Sequence, residues 1–265
     1  MSFLMPMKIT TVVFMMILSV LSALTTLALG GPDQIQNNST THHATGKPLI
    51  ILSWNKYTFD IMKSNPSRGE ETPIVINGKT AGYSYKYYNA IVVWPLAACA
   101  NHGTQKKQME CYQFVSHILS HYSPQLIVSL QTGGMYPLSN RINIGKLFKI
   151  VRINYEGKCL TIPNQIASTL PSAVELYTYA YHTDKERICD SSNVLLSSNS
   201  LSFPIIMGEK NNGAPKLLVI AGLTDFDKDN PSLSKKEYEK NKWAVALKMV
   251  NYINQHFINV ESAVP

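Results

Sequence analysis

The sequence predicts a single α/β domain, a three-layer α/β/α arrangement around a central mixed sheet. Three observations carry this. Short apolar runs recur at residues 49–52, 90–94, 126–130 and 216–221, each with the length and character of a buried strand. Helical stretches stand at 104–122 and 233–257. The order strand, helix, strand across 90–130 is a βαβ unit, whose strands must be parallel.

The elements follow in chain order. Lys47-Pro48 opens the run Leu49-Ile50-Ile51-Leu52, which ends at Ser53-Trp54-Asn55. Residues 63–72 are polar and read as loop. Pro73-Ile74-Val75-Ile76, then Asn77-Gly78, then residues 81–88 read as a hairpin, because Asn-Gly favours a type I′ turn. The run 90–94 ends at Pro95 and enters a loop, 97–103, that holds Ala98 and Asn101. In the helix 104–122, Met109, Tyr112, Gln113, Val115, Ser116 and Leu119 form a stripe, and Pro124 stands just past its end. The run 126–130 leads into Thr132-Gly133-Gly134-Met135, read as a turn. Residues 141–155 alternate apolar and polar from Leu147 and read as strands; 166–181 reads as a helix interrupted at Pro171. Residues 191–202 are rich in Ser and Asn and define no element. The last strand, 216–221, runs into Gly222-Leu223-Thr224-Asp225, and a polar loop follows at 227–232. The closing helix places Trp243, Ala246, Leu247, Val250 and Ile253 at amphipathic spacing, and Ser234 with Glu237 makes a candidate capping box.

Composition narrows the function classes. Of 265 residues, 45% are hydrophobic and 15% charged, which excludes disordered, collagen-like, coiled-coil and multi-span membrane proteins. The net charge of +7 comes from 24 basic and 17 acidic residues. The basic residues are scattered, in pairs at most (Lys106-Lys107, Lys235-Lys236), so no nucleic-acid partner is expected.

The N-terminus reads as an export signal. Behind Lys8, residues 9–30 carry no charge and end in Ala28-Leu29-Gly30, a pattern like a signal-peptidase site. We expect a signal peptide at 1–30, a flexible glycosylatable linker at 31–46 and the folded domain at 47–260. A retained signal anchor is the other reading of the apolar stretch. Either way the domain lies on the non-cytosolic side, and after cleavage no stable membrane insertion is expected. Asn37 and Asn38 begin overlapping glycosylation sequons. His42-His43 reads as a surface pair in the linker. Cys99, Cys111, Cys159 and Cys189 contain no C-x-x-C, so no metal site is expected; in an oxidising compartment they allow three full pairings.

In open α/β sheets, ligands gather outside the carboxyl ends of the strands. The candidate binding residues are therefore Ser53 and Asn55; Ala98 and Asn101; Thr132, Gly133 and Gly134; and Thr224. The loop 97–103 precedes a helix whose N-terminus suits an anion such as phosphate. Asp225 is the one carboxylate at the end of a buried strand, placed to act as a general acid. Its other reading is a cap for the following turn.

The order of these stretches resembles the nucleoside phosphorylase/nucleosidase superfamily, including its secreted bark-storage-like and purine nucleoside permease branches. Residues 49–55 resemble its first strand and phosphate loop. Residues 97–102 resemble its glycine loop before a long helix, and 131–135 its Thr-Ala-Gly-Gly turn. Residues 142–146 resemble its Leu-x-x-Gly-Asp segment, 217–225 its late strand ending in Ser-Asp, and 243–257 its closing helix. The resemblance implies a nucleoside-phosphorylase-like fold, a purine nucleoside or base as partner, phosphate as the one co-substrate in place of a cofactor, and room for a homo-oligomer. It implies that Asp225 polarises a purine ring nitrogen. The departures bear on activity. The glycine loop reads Ala97-Ala98-Cys99, and Gly-Asp reads Gly145-Lys146. The family's Met-Glu, which grips the ribose, has no acid at 199–203; the nearest is Glu209, in Met207-Gly208-Glu209. Three readings follow: a secreted enzyme cleaving the N-glycosidic bond, a non-catalytic nucleoside-binding or uptake protein, and a secreted storage protein with a vestigial pocket. No G-x-S-x-G elbow is present for an α/β-hydrolase.

Overall fold

Strand β1 (Leu49–Ser53) lies between two parallel neighbours, β4 (Ala90–Pro95) and β5 (Leu126–Tyr136). Beyond β5 comes β10 (Lys216–Asp225), also parallel. The four apolar runs thus stand side by side in one sheet, as expected. The computed structural model describes residues 46–96, 105–136, 144–155, 158–177, 194–196, 215–225 and 231–258. All belong to one unit, Gly46–Pro265.

On the far side of β4, the hairpin β2 (Thr72–Ile76) and β3 (Lys79–Tyr87) adds two antiparallel strands. Its turn has Asn77 at φ 52° and Gly78 at φ 73°, the paired positive angles of a type I′ turn. Past β10 the sheet curls round. β10 pairs antiparallel with β6 (Leu147–Tyr155), β6 parallel with β8 (Ser172–Tyr177), β8 parallel with β9 (Val194–Leu196), and β9 antiparallel with β5. β5, β10, β6, β8 and β9 therefore close into a ring, which leaves those strands no free edge. The short β7 (Lys158–Thr161) pairs with β6 outside the ring.

Side-chain alternation assigns the layers. In β1, Ile50 and Leu52 pack in one core with Cys111, Phe114, Val115 and Ile118 of helix α2 (Gln105–Tyr122). Ile51 points the other way, into a second core. There it joins Phe59 and Met62 of helix α1 (Lys56–Lys63) and Val245, Met249 and Ile253 of helix α3 (Pro231–His256). Each such side chain, fully buried, contributes about 1.5–3 kcal/mol. The result is the three-layer mixed-sheet architecture, with α2 on one face and α1 and α3 on the other.

Several expectations are corrected. The buried stripe of α2 is Cys111, Phe114, Val115 and Ile118; Met109 is 54% exposed and Gln113 and Ser116 face solvent. The buried stripe of α3 is Val245, Ala246, Met249, Val250 and Ile253, with Trp243 and Leu247 each 49% exposed. Both stripes keep helical spacing; Val115 of α2 and Ala246, Val250 and Ile253 of α3 are buried as expected, while the other buried positions shift toward Cys111, Phe114 and Ile118 and toward Val245 and Met249. The segment 172–177, expected as helix, is strand β8, because it lies between two strands that take its backbone hydrogen bonds. Thr132-Gly133-Gly134 is not a turn: β5 continues through it, paired with the end of β10. Helix α1 was not expected. Asn55 caps it, its Oδ1 accepting from the Tyr57 N–H at 2.8 Å. Helix α3 begins at Pro231, a residue suited to the first helical turn, so 231–232 are helix rather than loop. Ser234 lies inside the helix, and the capping box does not form. Among the described residues, no helix is long and apolar enough to cross a membrane.

Candidate functional site

The carboxyl ends of β1, β5 and β10 lie side by side, and the first half of α3 is tied to two of them. At the end of β10 one extra residue interrupts the ladder: Leu223 stands opposite Gly133, and Asp225 opposite Gly134, with Thr224 between. Such a bulge re-aims the side chains beside it. The Thr224 hydroxyl donates to Asp225 Oδ1 at 2.7 Å, and the Ser234 hydroxyl of α3 donates to Oδ2. Both carboxylate oxygens are therefore engaged. Gly134 makes room for the carboxylate, since a Cβ there would stand 3.0 Å from Oδ2.

Two further side chains of α3 reach the strand ends. Tyr238 hydrogen-bonds Thr132 of β5, and the Asn241 amide donates to the Thr224 carbonyl at 2.9 Å. Residues 234, 238 and 241 share one helix face by spacing alone. Burial pushes the Tyr238 phenol above its ordinary range, and neighbouring Tyr57 adds to this. Tyr57, in the first turn of α1, meets Trp243 edge-on with ring centres 4.7 Å apart. Lys242 sits 4.5 Å from the Tyr57 ring centre and pairs with Glu239. Its ammonium is held above the usual lysine range, first by Glu239 and then by Tyr57.

The β1 end is built differently. The Ser53 hydroxyl donates to the Asn55 carbonyl at 2.8 Å, and the Trp54 indole donates to Ser129 at 3.2 Å. Two polar atoms at the start of α1 are buried without a partner: the Asn55 side-chain nitrogen and the Thr58 hydroxyl. Deeper in the ring, Gln131 donates to Glu175 at 2.9 Å, both side chains fully buried. The Gly145-Lys146 pair exchanges backbone hydrogen bonds with Leu223, at 2.9 and 3.0 Å, beside the β10 end.

Of the residues expected from sequence, Ser53, Asn55, Thr132, Gly133, Gly134, Thr224 and Asp225 all fall at these three strand ends. Ala98, Asn101, Glu209, Asn37 and Asn38 lie outside the described residues. Ser234, Tyr238, Asn241 and Tyr57 were not expected. The i, i+4, i+7 polar spacing of 234, 238 and 241 is the signal that could have found the three on α3. A cleft of about 540 Å³, lined in part by Glu70, Ser84, Lys86 and Tyr122, opens at the opposite, amino end of the sheet.

Solved structures place this architecture. A 5′-methylthioadenosine/S-adenosylhomocysteine nucleosidase of Helicobacter pylori aligns over 80% of this chain and 100% of its own, at 8% identity and a TM-score of 0.56. The futalosine hydrolase of Helicobacter pylori aligns over 79% and 98%, at 11% identity and a TM-score of 0.55. A nucleosidase of the same kind from Colwellia psychrerythraea, solved with adenine, aligns over 80% and 96%, at 10% identity and a TM-score of 0.51. The chain shares the fold of these nucleosidases and of the futalosine hydrolase. No protein-family profile and no curated protein sequence matches the chain.

Proposed function

We propose that this chain is an exported protein that binds purine bases or nucleosides at the carboxyl ends of β1, β5 and β10, and turns nucleosides over slowly. The observation that carries the reading is the Asp225 carboxylate, fixed at the bulge between Gly134 and α3. The resemblance to the nucleoside phosphorylase/nucleosidase superfamily implies that a carboxylate at that strand end meets a purine ring nitrogen. The solved structures with this fold include one holding adenine. Phosphate or water would attack the anomeric carbon as the C–N bond to the purine breaks. The leaving purine takes a proton from Asp225 in its carboxylic-acid form, solvent then reprotonates Asp225, and an attacking water passes its own proton to solvent. The buried, unpartnered Asn55 amide and Thr58 hydroxyl, at the N-terminus of α1, suit an acceptor such as phosphate.

Slow turnover follows from what surrounds the acid. General acid catalysis contributes about 10²–10⁴-fold when correctly placed. The rest must come from clamping the ribose and stabilising charge on it. No carboxylate stands at residues 199–203, where the family's ribose clamp would fall. Asp225 already accepts from Thr224 and Ser234. These same contacts favour the second reading, a nucleoside-binding protein without turnover. A nucleoside panel assayed for free base, with and without phosphate, tests the proposal. We expect binding with little release of base. Turnover at ordinary enzyme rates of about 10 s⁻¹, lost on Glu209→Gln, would overturn it.

Export has independent support. Cys111 and Cys159 are both disulfide-bonded, and such bonds persist in oxidising compartments. The uncharged segment 9–30 and the sequons at Asn37 and Asn38 agree. Expression in a glycosylating host, with N-terminal sequencing, should show a shifted band that no longer begins at Met1.

A further inference from the structure

We propose that His117 and His121 form a two-histidine clasp on α2 for a divalent transition-metal ion, copper(II) ahead of zinc. Residues at i and i+4 share a helix face. The two rings are stacked, with centres 5.4 Å apart and planes 8° apart. Small rotations about their side-chain bonds bring one nitrogen of each ring to the roughly 2.0–2.1 Å that a metal–imidazole bond requires. Imidazole suits copper, nickel and zinc, and affinity within the divalent series peaks at copper(II).

The surroundings favour a cation. His121 is exposed and His117 half-buried, so the pair opens to solvent. His121 belongs to the last turn of α2, where unpaired carbonyls carry partial negative charge. Tyr122 meets the His121 ring edge-on at 4.6 Å and is itself anchored by a hydrogen bond from its hydroxyl to Ser84 at 3.2 Å. That flank of the clasp is therefore fixed. Among the described residues no third His, Cys, Asp or Glu joins the pair. Water completes the coordination, and the ion exchanges freely, unlike the ion of a closed structural zinc site. Helix α2 carries the chain from the carboxyl end of β4 back to the start of β5. Its last turn lies at the opposite end of the sheet from Asp225, so the clasp is independent of the nucleoside reading.

The test is a copper(II) titration of the full chain, followed by calorimetry and by electron paramagnetic resonance. His42-His43 is a second chelating pair, so His42→Ala/His43→Ala serves as the background. That protein should bind one equivalent with hyperfine coupling from two imidazole nitrogens. His121→Gln in the same background should weaken binding about tenfold or more, because the second imidazole then no longer binds intramolecularly. His121 is exposed, so the metal-free melting temperature should not change. Affinity unaltered by His121→Gln, or loss of the two-nitrogen signal in the background protein alone, overturns the proposal.

Discussion

A Cβ on Gly134 would lie 3.0 Å from Asp225 Oδ2, so the missing side chain on β5 lets the carboxylate rest against that strand. The contact is tight enough that an added methyl must displace something. Gly134→Ala should therefore move the carboxylate and weaken purine binding about tenfold, with a small loss of stability. Binding titrations alongside thermal melts would separate the two effects. A variant that melts lower yet binds normally would show that the carboxylate position is not what holds the ligand.

Ser234 tests the other side of the same group. Ser234→Ala removes the donor to Asp225 Oδ2, and loss of a hydrogen bond to a charged group costs about 1.5–3 kcal/mol where it is buried. Asp225 is only partly buried, so the cost should fall at or below the low end of that range. Freed of one donor, the carboxylate has an open oxygen to accept from a purine N–H, and purine affinity should rise or hold. Urea unfolding and a binding titration on the same sample check both. A collapse of binding would mean that Ser234 positions the carboxylate for the ligand.

Gly222 of β10 packs directly against Val245 of α3. A Cβ there would stand 2.2 Å from Val245 Cγ1. Gly222→Ala should destabilise the fold by about 1–3 kcal/mol through overpacking. Val245→Ala should relieve it, so the double variant should lose less than the two single losses combined. Denaturant midpoints for the four proteins decide this, and strict additivity would contradict the contact.

Alkaline pH should unfold the protein early. Burial raises the phenols of Tyr85 and Tyr238 above their ordinary value, which is about 10 in an unfolded chain. Their contribution is fully present below pH of about 10. Above it the unfolded chain releases protons that the native one keeps, so stability falls as pH rises. Tyr85 also donates to the Phe59 carbonyl at 2.8 Å, a bond that ionisation breaks. Phenolate absorbance followed beside circular dichroism should show these tyrosines ionising together with unfolding. Full ionisation in a folded protein would contradict the burial.

What was legible in the sequence was mostly the sheet. Ile50, Ile51 and Leu52 are apolar on both faces because two helical layers cover them, and such runs announce themselves. Asn77-Gly78 announced its turn because only residues tolerant of positive φ fit there. The helix phases were legible only in part: Ala246, Val250 and Ile253 are buried as their spacing predicts, but Trp243 and Leu247 are large and apolar yet 49% exposed, while Val245 and Met249 beside them are buried. Segment 172–177 contains Ala, Glu and Leu, which suit a helix, and only its two strand neighbours make it β8. The position of Thr224 and Asp225 at a strand end was legible from the apolar run that leads into them. The bond from Ser234 to Asp225 spans a loop and depends on where α3 lands, which no local pattern records.

The central claim is that Asp225 meets a purine. Its most direct test is a calorimetric titration of adenine into the wild-type chain and into Asp225→Asn, with melting temperatures measured on both. Asparagine keeps an oxygen to accept from Thr224 or Ser234, so the fold should hold. We predict one binding site in the wild type and an affinity lower by about tenfold or more in Asp225→Asn at a nearly unchanged melting temperature. Equal affinity in the two proteins, or no binding in the wild type, would contradict the account.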